Sequence, residues 1–208
     1  MAGSNAISDL RSGLGAVDDV LGYVKQTAGK PSTSEQSLFV ASVALSYAVW
    51  ENYVEEVAIE ATTILSTACA EASVPTTVRE SIMNAKPTAW DLAVYPGWRE
   101  LWLQVVRQRA KGDPDKDDFG INSAGSKNVA ALFERVGVSP FDGVSGGELE
   151  ELDRLVEQRG QIVHTGKAPD EFRKKDATSW RGFVESLGTK VDSSIAKGVN
   201  ALVGTAPW

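Results

Sequence analysis

From Ser32 to Val74 the chain runs without a proline or a glycine, and this stretch limits the possible folds more than any other. The two residues that most readily break a helix are missing from it. Ser32 and Glu35 at its start have capping-box spacing, in which hydroxyl and carboxylate satisfy each other's orphan backbone amides. The segment SLFVASVALSYAVWENYVEEVAIEATTILSTACAEA is apolar around much of its circumference, which predicts a long central helix, the most buried element, ended by Val74-Pro75.

The rest of the chain is punctuated in the same helical way. Ile7, Leu10, Leu14, Val17, Leu21 and Val24 fall three or four apart and predict an N-terminal helix over about residues 4 to 28, stopped at Gly29-Lys30-Pro31. Thr77 and Glu80 suggest a second capping box for a short helix reaching about Lys86, before the break at Pro87. TAWDLAVYP reads as a loop, followed by a helix from about Gly97 to Lys111 and then the turn-rich connection GDPDKDDFGINSAGS. SKNVAALFER predicts a compact helix from Ser126 to Arg135 with Gly137 as a left-handed C-cap. Ser145 and Glu148 supply a third capping box, and after a break at Pro169 the residues Trp180, Val184, Leu187, Val191, Ile195, Val199 and Leu202 keep helical spacing. No segment alternates with period two. The expectation is one all-α domain over residues 1–208: an antiparallel helical bundle with a long central helix and additional short ones, the N-terminal helix packed on the bundle.

Composition narrows the chemistry. A single cysteine, Cys69, excludes a disulfide framework, and with one histidine the usual zinc cage of His and Cys ligands is not available. No metal site or cofactor is expected. Cys69 lies in a helical run and reads as a small packing residue. The start, MAGSNAISDLRSG, lacks the basic flank and apolar core of a secretory signal, and no apolar run is long enough to span a bilayer, so a cytoplasmic location without membrane contact is expected. A net charge of −7 argues against a protein that coats nucleic acid with its whole surface, while leaving room for a local basic strip such as FRKKDATSWR. Trp50, Tyr53, Trp90, Trp98, Trp102 and Phe133 have the chemistry to stack bases, but at helical spacing they read as core.

The sharpest feature is EQRGQIVHTG, which ends the helix opened by Ser145 and contains the only histidine, His164. Stepping by about 100° per residue from Leu149 places Leu152, Leu155, Val156, Ile162 and Val163 within an arc of about 120°, with Arg159 near its centre. On a straight helix His164 stands about 140° away, on the side of Asp153 and Glu157. Gly160 gives the last turn freedom to distort, and Gly166 suits a C-cap. A buried guanidinium needs a carboxylate, a solvated cleft or a ligand. Two readings follow. In one, Arg159 clamps Glu51 or Glu55 of the central helix and His164 caps the helix end; in the other, both residues serve a site completed by a second surface.

The pair Arg159-x4-His164, in the setting LDRLVEQRGQIVHTG, resembles the Arg-x(4–6)-His signature of HEPN domains. YAVWENYVEEV is similar to the Trp-Glu segment of the RiboL-PSP and MAE-type branches of that family, and INSAGSKNVAALFERVGV resembles the Asn/Ser-rich lead into their Leu-Phe helix. The resemblance is strongest over residues 36–200. It implies a helical bundle that forms a homodimer with a composite active site, and a metal-independent endoribonuclease of toxin–antitoxin, phage-defence or RNA-processing systems, sometimes with an antitoxin or defence-system partner. Arg159 and His164 would be catalytic, with Glu51, Glu55 or Thr165 assisting, on RNA as substrate. Lys167, Arg173, Lys174, Lys175 and Arg181 would form a rim for the RNA backbone. Where many active members carry a polar residue after the arginine, this chain has Gly160. The family also contains catalytically inactive modules that bind RNA, a nucleotide or a partner protein, which is the alternative expectation.

Overall fold

The computed structural model describes residues 3–25, 31–94, 97–113, 120–167 and 172–208. Among these the elements are α1 (Asn5–Gly22), α2 (Thr33–Ala68), a 3-10 turn (Glu71–Ser73), α3 (Thr76–Asn84), α4 (Ala89–Ala93), α5 (Trp98–Lys111), α6 (Ser126–Val136), α7 (Gly146–Thr165) and α8 (Lys174–Val203), with no β-strand. The all-α expectation therefore holds. The breaks anticipated at Gly29-Lys30 and Pro169, and much of the turn-rich connection before Gly120, lie outside the described residues.

Local chemistry sets the ends of these helices. Ser32 and Glu35 form the capping box that opens α2, and Ser145 and Glu148 form the one that opens α7. Gly137 and Gly166 close α6 and α7 in the left-handed conformation that a side chain disfavours. The box expected at Thr77 is not made. Pro75, at φ −58° and ψ 147°, is the N-cap residue, so α3 begins at Thr76 and Thr77 falls inside its first turn. Thr88 and Asp91 instead cap α4, in a stretch that reads as loop from sequence. The N-terminal helix stops at Gly22, short of the expected position 28.

α2 is the hub, as its apolar circumference requires: it packs on α1, α5, α6, α7 and α8. Its buried hydroxyls, Ser42, Ser46 and Thr62, donate to carbonyls one turn back, so they enter the core without an unpaired donor. Pairings along its length give the topology. Asn5 meets Glu60 while Gly13 lies against Val49, so α1 runs antiparallel to α2. Phe172 meets Phe39 and Gly188 meets Tyr53, so α8 runs parallel to α2, a departure from a fully antiparallel bundle. α7 packs on α2 and runs antiparallel to α8, tied to α8 by Glu148 and Lys190 and to the start of α6 by Asp153, which binds the amide and hydroxyl of Ser126. No helix among the described residues is long and apolar enough to cross a membrane.

Candidate functional site

α7 is continuous through Gly160, so the distortion that glycine would permit does not occur. A β-carbon built at Gly160 meets nothing within 4 Å. The apolar stripe of α7 is buried at Leu152, Leu155 and Ile162, and half-buried at Leu149 and Val156. Val163 departs from it. This side chain is 55% exposed.

Arg159 is half-buried and turned toward α2, where its guanidinium carbon lies 5.0 Å from the centre of the Tyr47 ring. Among the described residues it makes no ion pair and donates no hydrogen bond. The clamp to Glu51 or Glu55 is therefore not formed, and the reason lies in competing partners. Glu51 accepts the Tyr47 hydroxyl at 2.8 Å. Glu55 pairs with Lys111 of α5 at 2.6 Å, and burial raises its pKa despite that partner. An aromatic face attracts a guanidinium without cancelling its charge, so Arg159 keeps the capacity to meet an anion.

Tyr47 sits at a three-way junction. Its ring is 1% exposed, and its hydroxyl, besides donating to Glu51, accepts the Ala124 amide at 2.9 Å. One turn on, the Trp50 indole donates to the Ala124 carbonyl at 2.8 Å. α2 thus grips both sides of one residue in the INSAGS loop, and α7 fixes the next turn through Asp153. Burial, with Glu51 adjacent, pushes the Tyr47 phenol up to about 12. Tyr47 lies inside YAVWENYVEEV, yet sequence reading gave it no role. The available signal was its position four residues before Glu51, the spacing at which two helical side chains meet.

His164 is exposed on the last turn of α7, five residues and about 7.5 Å of helix rise beyond Arg159. Arg159 faces α2 and His164 faces solvent, as the angular separation requires, so within one chain the two do not converge. Thr165 is exposed but committed locally: its hydroxyl donates to the Gln161 carbonyl at 2.8 Å and accepts the Lys167 amide at 3.3 Å.

The basic rim divides. Lys167 and Lys175 are exposed. Arg173 is the N-cap residue of α8, its backbone amide held by Asp176, and Lys174 reaches the carbonyl of Val24, two residues past the end of α1. Arg181 is not an available charge. It binds Asp18 through two nitrogens, each at 2.9 Å, and also pairs with Glu185. Beside these residues a cleft of about 460 Å³ between α7 and α8 is floored by Phe172 and Trp180 and carries Glu151, Glu157 and Asp176 against Arg154, a balance that does not attract a polyanion.

Of the aromatics with the chemistry to stack bases, Trp50, Tyr53, Trp102 and Phe133 are core. Trp98 is half-buried and stacked with Trp102. Trp90 departs from the core expectation at 76% exposure, on the five-residue helix α4, whose main contact among the described helices is α5. Cys69 is buried, as a packing residue should be.

Fold and site together define an all-α bundle with an uncompensated, aromatic-backed arginine and an exposed histidine on one helix. No family model matches the chain, and no solved structure matches it. A stretch of 88 residues is 30% identical to isopentenyl-diphosphate delta-isomerase of Chlorobaculum parvum, covering 42% of this chain. The chain spans about a quarter of that protein's length, with 24% of it covered, and the similarity assigns no activity here.

Proposed function

We propose that the protein is a metal-independent endoribonuclease of HEPN type, acting as a homodimer in a toxin–antitoxin, phage-defence or RNA-processing setting. The observation that carries this reading is Arg159: a half-buried guanidinium that rests on the Tyr47 ring while the nearby carboxylates are bound to other groups. Such a charge is poised for a phosphate, whose negative charge it stabilises as the transition state forms. The exposed imidazole of His164 takes the proton from a ribose 2′-hydroxyl. The 2′-oxygen then attacks phosphorus, the bond to the 5′-oxygen breaks, and a second acid, water or the imidazole of another copy, protonates the leaving oxygen. The products are a 2′,3′-cyclic phosphate and a 5′-hydroxyl. Because Arg159 and His164 diverge within one chain, the site draws on a second copy.

The alternative is a HEPN module that binds RNA, a nucleotide or a partner protein without cutting, and Gly160, which leaves open space where a polar assistant would stand, favours it. Purified wild type and His164→Ala incubated with mixed RNA in EDTA separate the two. The nuclease reading requires wild-type cleavage with cyclic-phosphate ends and its loss in the variant. Intact RNA in both, with binding retained, selects the module.

A further inference from the structure

The Tyr47 hydroxyl is satisfied on both sides, and its ring is sealed from solvent. It therefore has no part in proton transfer and no access to a ligand. What it touches is specific: the Arg159 guanidinium through its face and the Glu51 carboxylate through its hydroxyl. Glu51 is the acid on α2 nearest this junction that is not already joined to a lysine; Glu55 and Glu56 are both held by Lys111. Released from Tyr47, which Arg159 also contacts, the Glu51 carboxylate is free to turn toward the uncompensated guanidinium. An Arg–carboxylate pair would then take up the donors and charge that a phosphate needs.

We infer that Tyr47 is a positioning residue for the Arg159 site: its ring backs the guanidinium, and its hydroxyl restrains Glu51 so that Arg159 stays uncompensated and open to phosphate. The inference rests on the RNA-directed reading above and adds a role for Tyr47 and Glu51. On this basis Glu51 does not assist the chemistry; it is the group that would silence the site if freed.

The test is binding of a single-stranded RNA oligonucleotide with 2′-O-methyl riboses, which cannot be cut through the 2′-oxygen, so affinity is read apart from turnover. Tyr47→Phe keeps the ring and frees Glu51, and is expected to weaken binding about tenfold, the scale of one charge-assisted hydrogen bond to the RNA backbone. Adding Glu51→Gln to Tyr47→Phe removes the competing charge and restores affinity to within about threefold of wild type. A folded Tyr47→Phe that binds like wild type, or a loss that Glu51→Gln does not repair, overturns the inference while leaving the nuclease reading in place. If Tyr47→Phe does not fold, Glu51→Ala decides: a restrained Glu51 neither helps nor blocks the phosphate, so affinity stays within about threefold of wild type, and a change of about tenfold in either direction overturns the inference. A wild type with no affinity for the oligonucleotide defeats the RNA reading itself, and this inference with it.

Discussion

The guanidinium of Arg159 on α7 lies over the ring of Tyr47 on α2, 5.0 Å from its centre, and not against the carboxylates of Glu51 or Glu55. A helix stripe that otherwise reads as core has thus admitted a charge without neutralising it. This choice of partner separates function from stability at one position.

Breaking a buried ion pair by removing one partner costs about 3–5 kcal/mol, because a charge is stranded. Arg159 strands nothing. Arg159→Met, which keeps the apolar stem, should stay within about 1 kcal/mol of wild type in urea unfolding, the range of a substitution that breaks no pair. RNA cleavage should be lost in the same variant. A loss of several kcal/mol would show that the arginine is a structural clamp after all.

Two glycines should respond to alanine with opposite sign. Gly160 sits mid-helix with open space where a β-carbon would go, so Gly160→Ala should stabilise the fold by about 0.5–1 kcal/mol. At Gly188 a β-carbon would lie 2.9 Å from Leu10 Cδ1 and 3.3 Å from Ile7 Cδ1, where α8 crosses α1. Gly188→Ala should therefore destabilise by about 1–3 kcal/mol through overpacking. Thermal unfolding of the two variants side by side checks both.

Acid stability should carry the signature of Glu148. Hydrogen bonds from Lys190, then from the Ser145 amide and hydroxyl, hold its carboxyl at about 2, against an ordinary value of 4.5. Since the folded value is the lower one, the stabilisation is complete above about pH 4.5 and drains away as pH falls toward about 2. Glu148→Gln should lose stability at neutral pH and show a flatter decline over that interval. Denaturant midpoints at several pH values would reveal parallel curves if the expectation is wrong.

Salt dependence should divide the basic rim. Lys167 and Lys175 are exposed, and replacing both with Ala should reduce the slope of log affinity for RNA against log salt by about 1.4, at roughly 0.7 per single-strand phosphate contact. Arg181 is occupied by Asp18 and Glu185, so Arg181→Ala should leave that slope unchanged and lower the melting temperature instead. A filter-binding titration across salt concentrations, paired with thermal melts, distinguishes the two sets.

Sequence by itself determined the helices and most of their ends, because these are settled within a few residues: Ser32 with Glu35, Ser145 with Glu148, and Gly137 and Gly166 each act on their own turn of backbone. It also put Arg159 in an apolar stripe and His164 on another side, since both follow from about 100° per residue. It missed α4 and misplaced the start of α3, where Pro75 overrode the Thr77 signal. Which group Arg159 meets was decided only by tertiary structure. Glu51 and Glu55 are equally plausible partners along the chain, and they are taken by Tyr47 and by Lys111, the latter from a helix whose approach no local pattern encodes. The same holds for Arg181, a cation in sequence and an ion-paired strut in the fold. A side chain's partner depends on which competitors long-range packing brings within a few ångströms, and spacing along one helix carries no record of that.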